Sequence, residues 1–161
     1  MGKSKIRLFE LVSQMETQMD EMPVYFNQET GEFVFVEERF FGDIEDGMTK
    51  EDYSQDWQKE AYEQAKDVMV STSDKYLRIP SNFEVHEWEI MKDFCYTIDD
   101  ENIRGDLLNA IHGRGAFRMF KDKIIHYGIR QDWFDFRKEQ FAEIARRWCE
   151  SHDLEYVEES I

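Results

Sequence analysis

Cysteine and proline are both scarce, with two of each in 161 residues. Cys95 and Cys149 lie far apart, each in an apolar helical context. That argues against a disulfide-stapled secreted scaffold and predicts two buried thiols in a reducing cytoplasm. No apolar run approaches the roughly 20 residues needed to cross a bilayer. The start, Met1-Gly2-Lys3-Ser4-Lys5-Ile6-Arg7, lacks the apolar region and small-residue cleavage site of a secretory leader. Ile6 also occupies the position where a myristoylation pattern needs Ser or Thr, so no membrane attachment is expected. Internal repeats, low-complexity tracts and Pro- or Ser-rich linkers are missing, and nothing divides residues 1–161 into more than one domain. Positive charge is in short supply as well: 20 Lys and Arg face 36 Asp and Glu, a net of −16. Such a charge repels nucleic-acid phosphates at long range and favours basic partners.

What the chain does have is apolar material, 41% hydrophobic and 15% aromatic, which an acidic disordered tail would lack. Ile6, Leu8, Leu11, Val12, Met15 and Met19 recur at helical spacing and predict a helix over 4–18, with Ser4 as its cap. Val24–Asn27 and Glu32–Val36 flank the four-residue loop Gln28-Glu29-Thr30-Gly31, a hairpin signal with Gly where a left-handed residue is needed. Alternation of Phe33 and Phe35 with Val34 and Val36 suggests a second strand apolar on both faces and internal to its sheet. Residues 1–41 therefore read as helix plus hairpin. Residues 42–56 read as an acidic, mobile loop, and 57–161 as a helical body with a terminal strand.

In that body, Trp57–Met69 is an amphipathic helix and Tyr76–Ile79 a short extended segment before Pro80. Ser81 or Asn82 caps a helix to about Tyr96, and Asp99 or Asp100 caps the next. A further helix carries Phe117, Phe120 and Ile124 and stops at Gly128. The last runs from about Gln131 to Ser151, with Phe134, Phe141, Ile144, Ala145 and Trp148 inward. Leu154–Val157 alternates like a strand that could join the hairpin. The expected class is α+β: a predominantly helical single domain with a small antiparallel sheet.

Charge is unevenly placed. Residues 1–100 carry 24 acidic against 10 basic side chains, a net of −14, while residues 113–147 carry 5 against 9, a net of +4. Inside that island Gly113 takes the cap position of a helix, with Arg114 and Gly115 beside it and Arg118 and Lys121 following. The first N–H groups of a helix are orphan donors, and the macrodipole adds about half a positive charge there. Glycine admits a ligand close to the backbone, and guanidinium suits carboxylate or phosphate. Gly113, Arg114, Gly115, Arg118, Lys121 and Arg137 are accordingly the candidate anion-binding set. The competing reading is that one of the chain's own carboxylates fills the site, or that Arg118 pairs with Asp122 along the helix.

Other motifs carry less. Gly113-Arg114-Gly115 lacks the preceding strand and third glycine of a dinucleotide fingerprint, and no P-loop lysine motif occurs. Arg130, Arg137, Lys138, Arg146 and Arg147, interleaved with Tyr127, Trp133, Phe134 and Phe136, superficially resemble a single-strand stacking platform. At helical spacing these aromatics read better as core, with Arg137 stacked on Trp133. The four histidines include no i, i+4 pair and no HExxH, so no metal is called for. His112 is the one catalytic candidate, beside the glycine turn; its plainer role is a helix-terminal His bonding a free carbonyl. No serine nucleophile elbow is present, and neither thiol has a neighbouring His to activate it.

The run Gly113-Arg114-Gly115-Ala116-Phe117-Arg118-Met119-Phe120-Lys121-Asp122, followed by Trp133-Phe134-x-Phe136-Arg137 and Trp148, resembles the hallmark of uncharacterised protein family 0158, a bacterial group. The likeness is most specific over residues 78–156 and extends to Tyr25-Phe26-Asn27 and Glu29-Thr30-Gly31-Glu32 in the hairpin. Two departures stand out: Met119 where the family tends to carry a second arginine, and Phe134 where it tends to carry tyrosine. The resemblance implies a cytoplasmic bacterial protein and supplies no activity.

These features favour a binding or regulatory module over an enzyme. It would need no cofactor and would meet a phosphate-bearing ligand or a protein partner, not a membrane, while its net charge argues against nucleic acid. The alternatives are an acidic interaction protein or nucleic-acid mimic occupying a basic partner, and a phosphate-directed enzyme using His112.

Overall fold

Residues 5–71, 75–81 and 86–158 are described by a computed structural model; the expected caps Ser4 and Asn82 lie outside them. Two compact units form, residues 1–81 together with 145–161, and residues 82–144. The first holds β1 (Ile6–Arg7), α1 (Leu8–Thr17), β2 (Val24–Asn27), β3 (Phe33–Phe35), α2 (Glu38–Glu45), a 3-10 turn (Lys50–Asp52), α3 (Asp56–Val70) and β4 (Tyr76–Arg78). The second holds α4 (Glu87–Cys95), α5 (Glu101–Ile111), α6 (Ala116–His126) and most of α7 (Arg130–Ser151), whose last turns belong to the first unit along with β5 (Tyr156–Val157). The protein is α+β, predominantly helical, with a three-stranded antiparallel sheet and a parallel strand pair.

In the first unit the hairpin forms as its loop predicts. Gly31 takes φ +79°, and buried Asn27 accepts from the N–H groups of Glu29 (2.9 Å) and Thr30 (3.2 Å). The sheet order is β3-β2-β4, so the central strand is β2, which buries Val24 and Phe26. The expectation of an internal β3 is corrected: it is an edge, with Phe35 64% exposed. The extended segment before Pro80 supplies the other edge, Phe26 pairing with Leu77.

The terminal strand joins a different partner from the one expected. β5 pairs in parallel with β1, Ile6 opposite Tyr156, and the Ile6 N–H donates to Glu155 O at 2.9 Å. The first helix consequently starts at Leu8 and buries Leu8, Leu11, Val12 and Met15. Residues 42–56, expected as a loop, begin inside α2 and contain the 3-10 turn. The turn is closed by Thr49 and Asp52, with the Thr49 N–H donating to Asp52 Oδ2 at 2.8 Å. The apolar residues among these acids account for the order. Ile44 and Tyr53 pack on a core of Val36, Phe40, Tyr62 and Ala65.

The second unit is built around an aromatic cluster. Phe94 of α4 meets Phe120 of α6 (6.1 Å between centroids) and Trp133 (5.4 Å) and Phe136 (5.5 Å) of α7, while Phe120 and Trp133 stand 4.8 Å apart, edge to face. Edge-on contacts of this kind add to plain burial. The helix expected from Ser81 begins at Glu87, after His86 at φ +35°. Asp100 caps α5, its Oδ1 accepting from the N–H groups of Asn102 (2.9 Å) and Ile103 (3.2 Å). On α7 the inward place expected for Phe134 is taken by its neighbour: Trp133 is 5% exposed and Phe134 44%. Both thiols are free and buried. No helix among the described residues is long and apolar enough to cross a membrane.

Candidate functional site

The connection from α5 to α6 is set by two residues. His112 occupies the C-cap of α5. Its imidazole Nδ1–H donates to Leu108 O at 2.6 Å, and the ring stands edge-on to Trp88, whose indole N–H donates to Ile111 O at 2.9 Å. The ring thus closes a helix end, the plainer of the two roles open to it. Gly115 then reverses the chain in the left-handed region, φ +65° and ψ 37°, and α6 begins at Ala116. This corrects the expected cap. The helix opens at Gly115, not at Gly113, where an added Cβ would meet only carbonyl oxygens at 3.9 and 4.0 Å.

A glycine cap has no side chain to answer the orphan N–H groups, and the first turn of α6 contains no acid. Arg114, Arg118 and Lys121 are exposed around this helix start. Among the described residues none of the three takes part in an ion pair, and the Arg118–Asp122 pairing is not formed. The internal carboxylate that could have filled the site is therefore not found among the described residues.

Arg137 is placed differently. Its Nε–H donates to Glu87 Oε1 at 2.7 Å, a terminal N–H reaches the same oxygen, and its guanidinium lies 4.3 Å from the Phe141 centroid. The expected stacking on Trp133 is replaced by this arrangement. Nearby, Asp106 of α5 accepts from Tyr127 O–H and pairs with Lys123 at 3.0 Å, fixing α6 against α5. The Tyr127 hydrogen bond, followed by Lys123, holds the Asp106 carboxyl below the usual carboxylate range.

Alongside α6 lies a cleft of about 280 Å³. Buried Met91, Phe120 and Trp133 line it together with Phe117 (48% exposed) and Phe134, and Lys121 and the Arg137–Glu87 pair supply its polar groups. Of the candidate anion-binding set, the cleft brings together Lys121 and Arg137. Gly113, Arg114 and Gly115 form the turn before α6, and Arg118 sits one residue from Phe117 on the exposed helix surface. His112 does not line the cleft. Phe117, Phe134 and Glu87 are not among the residues expected at a site, Phe134 being expected in the core. Phe134 lies next to buried Trp133, and Phe117 lies at the open end of the stripe of Phe120 and Ile124. Among the described residues no group of three or more His, Cys, Asp or Glu side chains is placed to hold a metal ion.

An acidic α+β protein with a cationic helix start beside an aromatic cleft is the class these features define. Residues 4–161 match the Uncharacterised protein family (UPF0158), and the chain belongs to that family. Over 67 residues it is 30% identical to UPF0158 protein PA5073 of Pseudomonas aeruginosa, a stretch covering 41% of this chain and 44% of that protein. No solved structure matches the chain.

Proposed function

We propose that the protein is a non-enzymatic binding module of the bacterial cytoplasm that takes an anion at the start of α6, either a phosphate-bearing ligand or an acidic segment of a protein partner. One observation carries the reading. In a chain with 16 excess negative charges, an uncapped helix start is surrounded by Arg114, Arg118 and Lys121, and no carboxylate among the described residues pairs with them. A phosphate meeting two backbone N–H groups and one guanidinium would gain roughly 3–5 kcal/mol in net hydrogen bonding, which corresponds to millimolar binding. A free small anion is therefore held weakly, and useful affinity requires contacts beyond the helix start.

The test is an NMR titration with inorganic phosphate at low salt. Amide shifts at Ala116–Met119 are expected, with a dissociation constant near the millimolar range, abolished by Arg114→Ala and by high salt. Binding that survives Arg114→Ala unchanged, or no binding at all, refutes the reading.

A second reading draws on the first unit, where a hollow of about 330 Å³ is lined by Glu21, Glu37, Glu38 and Arg39. Arg39 is already paired with Glu37 at 2.7 Å. This acidic hollow suits a basic partner, whose capture would be removed by high salt and indifferent to Arg114→Ala. Phosphate-directed catalysis has less support, because the His112 Nδ1–H is committed to Leu108 and only Nε2 remains for chemistry.

A further inference from the structure

The cleft flanked by α4, α6 and α7 combines three properties. It presents exposed aromatic surface in Phe117 and Phe134 over a buried aromatic and thioether lining, Phe120, Trp133 and Met91. Its one carboxylate, Glu87, is neutralised by Arg137. Its remaining cation, Lys121, makes no ion pair among the described residues, and Arg118 lies three residues before it on the same helix, equally unpaired. Exposed apolar surface bordered by polar groups marks recognition sites, and here the unsatisfied border charge is positive.

We propose that this cleft is the receptor for an acidic peptide segment of a partner protein, which inserts one large apolar side chain beside Phe117 and Phe134 while its carboxylates meet Lys121 and Arg118. The inference rests on the reading of α6 as an anion-seeking helix and supplies the extra contacts which that reading lacks. At about 280 Å³ the cleft sits at the lower edge of the roughly 300–1,000 Å³ typical of small-molecule pockets. It suits a single anchor residue, the part of a peptide interface that carries most of its affinity. Single-stranded nucleic acid is disfavoured on two counts. The chain's net charge of −16 repels its phosphates, and Trp133, with Phe120 and Phe94 packed against it at 4.8 and 5.4 Å, is buried and offers no open face for a base. A basic peptide would leave Lys121 and Arg118 facing like charge.

The experiment pans a randomised peptide display library against the full chain and then measures the best sequence as a synthetic peptide. Enriched sequences should be acid-rich around one Leu, Ile, Phe or Trp, and replacing that anchor with Ala should weaken binding at least tenfold. Phe117→Ala and Phe134→Ala, both at half-exposed positions, should each weaken it at least fivefold with the melting temperature unchanged. Lys121→Glu should weaken it at least tenfold. The phosphate titration of Phe134→Ala should match the wild type, separating the cleft from the helix start. Peptides that lose binding in Arg114→Ala but ignore Phe117→Ala and Phe134→Ala would overturn the cleft and leave the anion reading standing. Anchor-dependent binding without any phosphate response would do the reverse. Failure to enrich, enrichment of basic sequences, or self-association that depends on Phe134 would each overturn the proposal.

Discussion

Arg137 donates two N–H groups to one oxygen of Glu87, the Nε–H at 2.7 Å, while the face of its guanidinium covers Phe141. With side-chain exposures of 22% and 38% the pair is neither a free surface bridge nor fully buried. Its loss should therefore cost about 1–2 kcal/mol, between the values typical of exposed and buried pairs, with part of the cost coming from lost packing on Phe141. Arg137→Ala is expected to lower stability by that amount and leave phosphate affinity within about twofold. Glu87→Gln, which removes the partner charge, should also lower stability and leave phosphate affinity within about twofold. Urea melts and phosphate titrations of both variants check this, and a wild-type-like melt of Arg137→Ala with phosphate binding lost would show Arg137 to be a ligand group after all.

The two glycines before α6 are not equivalent. Gly115 lies at φ +65° with no atom within 4 Å of an added Cβ, so the cost of a side chain there is purely conformational. Gly115→Ala should destabilise by about 1–2 kcal/mol, the left-handed penalty for an L-residue. Gly113→Ala, with its nearest contact at 3.9 Å and no positive φ, should stay within about 0.5 kcal/mol of wild type. Thermal melts of the pair test which residue caps the helix, and equal losses would refute the assignment to Gly115.

Local patterns identified most of the helices because their buried stripes recur over several turns, as in α1 with Leu8, Leu11, Val12 and Met15. Patterns failed where a distant segment decides the outcome. Ile6 fits the spacing of α1 as well as it fits a strand, and only its pairing with Tyr156 makes it extended. The acids of 42–56 outweigh Ile44 and Tyr53 in composition, yet those two side chains find the core formed by Phe40 and Tyr62. The unusual start of α6 was legible because glycine and arginine at a helix start break a local rule. The cleft was not. Phe134 differs by one position from buried Trp133, and Phe117 keeps the spacing of buried Phe120 and Ile124 yet lies in the first turn, so spacing alone marks neither as exposed.

Acid should reveal the tie between α5 and α6. Asp106 is held below its ordinary value of 3.8, chiefly by the Tyr127 hydrogen bond and then by Lys123. Because the folded-state value is the lower one, the stabilisation is fully present above about pH 4 and is lost as pH falls through the folded value. Asp67, lowered by Tyr76 and Lys75, acts in the same direction. Tyr127→Phe should lower the neutral-pH melting temperature, the difference from wild type shrinking as pH falls below about 4, as followed by circular dichroism. A neutral-pH melt equal to that of the wild type would mean that the Tyr127–Asp106 contact does not persist in solution.

The thiols set the opposite limit. Burial pushes Cys95 up to about 11 and Cys149 up to about 12 from an ordinary value of 9.0. A folded-state value above the unfolded one means that the neutral thiol stabilises the fold. This contribution is complete below about pH 9 and is withdrawn as pH rises through 11 to 12. At pH 8 only about one Cys95 in a thousand is then thiolate, and it has no path to reagent. An aromatic disulfide reagent such as DTNB should consequently leave the native protein unlabelled over minutes and modify two thiols on unfolding in urea. Rapid labelling of either residue in buffer would show that its helix opens locally, since no exposed thiol is available to react.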